Sequence, residues 1–157
     1  MATITATLAP AMGNSQRGRN PYMVEQVVDL TANSIAPGDV VQCITVPANT
    51  KIVAAGFQVT SSATMNTGTD ATATLGTGAD ADEYVTSFDI DGAADNAYAP
   101  SVTVSADVVL ASADTLDLTL AGSGASFTAG EIRVYAIMMD VSALGEMEAA
   151  EVARDQA

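Results

Sequence analysis

Six carboxylates in two short stretches are the residues best placed to do chemistry: Asp80, Asp82 and Glu83, then Asp89, Asp91 and Asp95. Hard oxygen ligands close together in sequence are what calcium requires. The run Asp89-Ile90-Asp91-Gly92 lacks the third ligand and the later glutamate of an EF-hand loop, so the expectation is two acidic, solvated loops with no metal and no other cofactor. Paired carboxylates could also cleave glycosides. Such enzymes hold sugars on aromatic platforms, whereas this chain has no tryptophan, 4 tyrosines and 3 phenylalanines. The absence of histidine removes the usual general base and the commonest transition-metal ligand together. Gly122-Ser123-Gly124 has no lysine and no helix start after it, and reads as a hairpin turn instead of a phosphate loop. Cys43, the single cysteine, excludes an internal disulfide and lies in the apolar stretch Val40-Val41-Gln42-Cys43-Ile44, where a buried, inert thiol is expected. The chain is therefore expected not to be an enzyme.

Charge narrows the partners. With 19 acidic and 5 basic residues, a net charge of −14 repels a polyanion, so nucleic acid is excluded as a partner. Arg17 and Arg19 precede the first acidic residue, Glu25, which makes the start of the chain a basic arm on an acidic body. No run approaches the roughly 20 apolar residues of a membrane span, and the first ten residues lack a basic n-region and an apolar core. The expectation is a protein made in the cytoplasm with no membrane partner.

The elements that position these residues read as an antiparallel β-sandwich over residues 22–141, with an extended arm over 1–21 and a short helix or tail over 142–157. Strands are expected at 24–32, 40–46, 51–61, 70–75, 83–90, 101–105 with 108–111, 115–120 and 131–141. Pro37-Gly38-Asp39 marks a turn, and Pro47-Ala48-Asn49 is expected to join 40–46 and 51–61 as a hairpin. Leu116, Leu118 and Leu120 alternate with Thr115, Asp117 and Thr119, placing one row inward and one in water. The stretch Ile132 to Met139 begins in alternation and becomes apolar on both faces, as in a covered central strand or an interface strand. Ser142 is a plausible N-cap for the C-terminal helix. A helix of about a dozen residues is marginal alone, so it is expected either to fray or to dock on a neighbouring surface through Leu144 and Met147. The other expected partner contacts are Arg17, Arg19 and Tyr22 in the arm.

Three phrases carry a family resemblance: Gly38-Asp39-Val40-Val41-Gln42, then Val46-Pro47-Ala48-Asn49-Thr50-Lys51-Ile52-Val53, then Ala73-Thr74-Leu75-Gly76-Thr77-Gly78. They resemble stretches of small virion proteins of tailed bacteriophages, most clearly capsid decoration or cement proteins, over about residues 38–141. The resemblance implies a jelly-roll-like sandwich, often a homotrimer, that binds the major capsid protein on the capsid exterior. A tail or head-fibre adhesion module recognising a host glycan is the alternative, and the shortage of aromatic residues counts against it.

Overall fold

The computed structural model describes residues 20–32, 35–100 and 109–141; residues 1–19 and the helix expected over 142–157, with Arg17, Arg19, Leu144 and Met147, lie outside them. The described residues form nine strands, the longer ones rich in β-branched residues: β1 (Tyr22–Asp29), β2 (Val40–Val46), β3 (Thr50–Met65), β4 (Thr72–Gly76), β5 (Val85–Asp89), β6 (Ala97–Tyr98), β7 (Val109–Leu110), β8 (Asp114–Ala121) and β9 (Phe127–Asp140). They form two antiparallel sheets. Sheet A has the order β1-β9-β3-β6, with β7 also on β3, and sheet B has the order β2-β8-β4-β5. No described helix is long and apolar enough to cross a membrane.

This is a jelly roll. Each of the pairs β1 and β2, β3 and β4, β5 and β6, and β8 and β9 is consecutive in the chain yet divided between the sheets, so most short connections cross the core. The hairpin expected at Pro47-Ala48-Asn49 is therefore corrected: β2 pairs with β8, β3 pairs with β9, and the turn passes from one sheet to the other. Asn49 takes a positive φ of 59° there, and its N–H donates to Leu110 O at 2.6 Å. The turn chemistry was correct, but local sequence carries no signal for which sheet receives the next strand.

Gly122-Ser123-Gly124 is corrected in the same way, since β8 and β9 lie in different sheets. Asn66 Oδ1 accepts from the N–H groups of Ala125 and Ser126 at 3.1 and 3.2 Å, and Ser123 Oγ donates to Thr69 O at 2.6 Å. The consecutive strands that do pair are β4 and β5. Gly76 closes their loop, because a Cβ there would overlap the backbone of Asp80 and Ala81.

Several strand limits shift for local reasons. The first strand ends at Asp29 rather than Ala32, since Asp29 Oδ1 accepts from both the N–H and the hydroxyl of Thr31 and turns the chain. β3 extends to Met65 through irregular register after Val59. β6 was not anticipated, and 101–105 lies outside the described residues.

The core fills the space between the sheets with Leu30, Val46, Phe57, Val59, Leu75, Tyr84, Ile90, Leu116, Leu118, Leu120, Ile132, Val134 and Met138. Phe57 and Phe88 meet edge to face at 5.9 Å. The inward leucine row of β8 is as expected, but its opposite row is not wet: Asp117 is only 8% exposed. Its strand is central, and Asp117 lies between Gln42 of β2 and Gly76 of β4.

Candidate interaction surface

The carboxylates expected in solvated loops are tied into local structure. Asp80, Asp82 and Glu83 lie between β4 and β5, whereas Asp91 and Asp95 lie between β5 and β6, so the two groups sit at opposite ends of β5. Asp89 Oδ1 accepts from Gly92 N–H at 2.7 Å and Asp91 N–H at 3.2 Å; the Gly92 bond is the largest cause holding its carboxyl below the ordinary value. Asp91 Oδ2 accepts from Asp70 N–H, and Asp95 Oδ1 from Ser62 N–H at 2.8 Å. Each carboxylate serves a different stretch of backbone. Asp82 is held above its ordinary value, chiefly by hydrogen bonding with Asp80 and less by the charge beside it. Among the described residues no three acidic or cysteine side chains converge as a metal site.

Cys43 is partly rather than fully buried, because it occupies an irregularity of the edge strand β2 between Gln42 and Ile44. Burial pushes its thiol up to about 11, and the sulfur lies 3.2 Å from Val41 O. That is the environment of an unreactive thiol.

The unusual surface is the outer face of sheet A. Cross-strand register puts Met23, Glu25 and Val27 of β1 beside Ile137, Tyr135 and Arg133 of β9, and these beside Ala54, Gly56 and Gln58 of β3. Tyr98 of β6 extends the row from Gln58. Of the seven large apolar side chains left exposed among the described residues, Tyr22, Met23, Val27, Val53, Tyr98 and Val109 belong to sheet A, and only Val40 to sheet B. Met23 and Tyr98 are each 61% exposed.

Gly56 shapes the middle of this face. A Cβ there would come within 2.7 Å of the Tyr135 hydroxyl, so the glycine lets the Tyr135 ring lie flat across β3. Tyr135 then meets Tyr98 edge to face at 6.2 Å. The two tyrosines, with Met23, Glu25, Gln58 and Arg133, line a depression of about 270 Å³. Gln58 donates to Asn96 O at 3.3 Å, while its Oε1 and the Nε of Arg133 are buried without a partner. Aromatic walls and a few polar groups at the floor are what protein-contact surfaces offer.

The outer face of sheet B has a different character. Thr45, Thr72, Thr74, Thr115 and Thr119 share it with Gln42 and Asp117 by register. The exposed large apolar side chain of that sheet, Val40, stands on its edge strand.

β1 starts beside the end of β9, with Tyr22 opposite Met138, and Val141 N–H donates to Asn49 O at 2.9 Å. Tyr22 and Val141, next to the two ends of the described chain, therefore lie at the same end of the sandwich. Tyr22, the arm residue within the described range, is 41% exposed; partial burial and then the charge of Asp140 raise its hydroxyl. The other expected contacts, Arg17, Arg19, Leu144 and Met147, lie outside the described residues.

Solved structures share this architecture. A chain in the cyanophage Pam1 capsid asymmetric unit superposes with a TM-score of 0.64 at 20% identity, covering 88% of this chain and 97% of that one. A chain in the capsid of Ralstonia phage GP4 superposes with a TM-score of 0.58 at 15% identity, covering 79% and 86%. The fold is one found in phage capsids. At such identities the likeness is one of fold. No protein-family model and no curated protein matches the sequence.

Sequence reasoning missed Tyr98, Gln58 and Met23 as surface residues of interest. The signal was partly available in Ile132 to Met139, whose apolar character on both faces comes from Ile137 and Met139 on the outer face of sheet A.

Proposed function

We propose that this chain is a structural virion protein that binds the major capsid protein on the outside of a phage capsid lattice and stabilises it, as decoration proteins do. The observation that carries this reading is the match of nearly the whole fold to a chain in a phage capsid asymmetric unit. The outer face of sheet A supplies a contact surface, and the position of Tyr22 and Val141 at one end of the sandwich lets both chain ends engage the same neighbourhood of the lattice. Many copies, each making a modest contact, would stabilise a lattice by avidity. The reading is one of binding, without a catalytic step.

The test is to mix the purified chain with cognate capsids lacking it and image them by cryo-electron microscopy. Stoichiometric density on the outer lattice, with a raised capsid melting temperature, is the expected result. Density only at tail or fibre positions, or none on the head, would overturn the proposal in favour of an adhesion module or an unrelated role.

A further inference from the structure

Each sheet ends on a strand with one edge lacking a partner strand among the described residues, and two of these edges flank the same side of the sandwich: β1 of sheet A and β2 of sheet B. Between them runs an open groove of about 460 Å³ lined in part by Val27, Val28, Ile35, Val41 and Cys43. The two edges are not equivalent. β2 is interrupted between Gln42 and Ile44, whereas β1 keeps register with β9 through all eight residues, from Tyr22 opposite Met138 to Asp29 opposite Glu131. β1 also contains no proline and no lysine. Bulges, prolines and lysines are among the devices that stop a sheet edge from pairing with another chain; β1 has none of these three, and its charges are Glu25 and the terminal Asp29.

The sequence ahead of β1 contains a segment suited to that edge. The arm lacks a period over its whole length, but Ala2, Ile4, Ala6 and Leu8 alternate with Thr3, Thr5 and Thr7 up to Ala9. That is a strand pattern with one apolar row, eight residues long and without charge. Twelve residues, 10–21, link it to Tyr22. Hairpins favour loops of about two to five residues, so this link is long for folding back on its own β1. Extended, it spans roughly 40 Å, enough to reach a neighbouring copy.

We propose that residues 2–9 of one copy add as a strand to the free edge of β1 in a second copy, with Ile4 and Leu8 covering the groove beside Val28 and Val41. Backbone hydrogen bonds supply the affinity, and the alternating apolar row sets the register. Such an exchange goes beyond the capsid-binding reading, because it joins copies of the chain whether or not a capsid is present.

The test is hydrogen exchange on the purified full-length chain, without capsids, at high and low protein concentration. At high concentration, alternate β1 amides are expected to exchange at least ~10-fold more slowly than at low concentration, with β9 unchanged. The protection should disappear in a chain lacking residues 2–9 and in the full-length Ile4→Asp/Leu8→Asp variant. Unchanged β9 exchange shows that each variant is folded. Three results overturn the proposal: protection independent of concentration, which assigns the edge to the chain's own arm; protection seen only after capsids are added, which assigns it to the capsid protein; or no protection at all. Capsid binding is measured separately, so its failure leaves the exchange result intact.

Discussion

The two outer faces of the sandwich share the same antiparallel pleat, yet they present opposite chemistry. Sheet B shows a threonine row, with Thr45, Thr74, Thr115 and Thr119 across β2, β4 and β8. Sheet A shows Met23, Val27, Tyr98, Tyr135 and Ile137; unpartnered buried polar atoms occur on both, Gln58 Oε1 and Arg133 Nε on sheet A and Asp117 Oδ1 and Thr119 Oγ1 on sheet B. Short β-branched hydroxyl side chains satisfy a strand's steric preference while remaining compatible with water. Large apolar and aromatic side chains in one patch gain free energy only when something covers them. The contrast teaches that the exposed apolar surface is concentrated on one face, while the other carries hydroxyl side chains around a buried Asp117.

The largest expected effect comes from charging the outer face of sheet A. Met23→Asp combined with Tyr98→Asp should weaken capsid binding at least ~100-fold, since central aromatic and apolar anchors each contribute about 2 kcal/mol or more. Co-sedimentation measures the binding, and an unchanged melting temperature of the free chain shows that only the surface was altered. Retained binding would remove sheet A from the interface.

Next is the thiol at the edge of sheet B. With its pKa moved from 9.0 to about 11, Cys43 should hold about a hundredth of the thiolate of an unfolded chain at mildly alkaline pH. Burial favours the neutral thiol, so this contribution to stability is present below 9.0 and lost as pH rises through about 11. Reaction with a thiol reagent should accelerate sharply on adding denaturant. Equal rates with and without denaturant would mean that the edge of β2 opens freely.

A smaller effect follows from Gly56→Ala. The added methyl displaces the Tyr135 ring, whose hydroxyl is the flexible end of a side chain, and so should reduce capsid binding about tenfold with about 1 kcal/mol or less of destabilisation. Isothermal titration with capsid protein and urea unfolding separate the two.

Away from both faces, Asp89→Asn probes the acidic loops. The folded carboxyl lies below 3.8, so its contribution is present above that value and lost as pH falls through the folded pKa. The variant should be slightly less stable than the parent at neutral pH, with the gap closing in strong acid; a constant gap in urea melts across pH would show that charge is not involved. The smallest effect is expected at the threonine face. Thr45→Lys should change capsid binding less than about twofold and stability by less than about 0.5 kcal/mol.

The strands were readable wherever a period was clean. Val40 to Val46 and the leucine row of β8 follow directly from turn residues and alternation, because those depend on neighbours in sequence. The two-residue strand at Ala97–Tyr98 was not readable, since its pairing with Gln58 and Val59 is long-range. The site was harder. Tyr98 and Tyr135 are 37 positions apart, and nothing local joins them.

Sequence alone determined the class of the molecule: an acidic, histidine-free chain of alternating strands, with a core row in β8 and turns at Pro37-Gly38 and Pro47-Ala48-Asn49. Tertiary structure decided what those turns accomplish and which face is exposed. A turn sets the direction of the chain over a few residues, but the sheet that receives the next strand depends on which long-range pairing buries the most apolar surface. Here that choice sends β2 and β3 to opposite sheets, lays Tyr135 over Gly56, and turns a threonine face and an aromatic face in opposite directions.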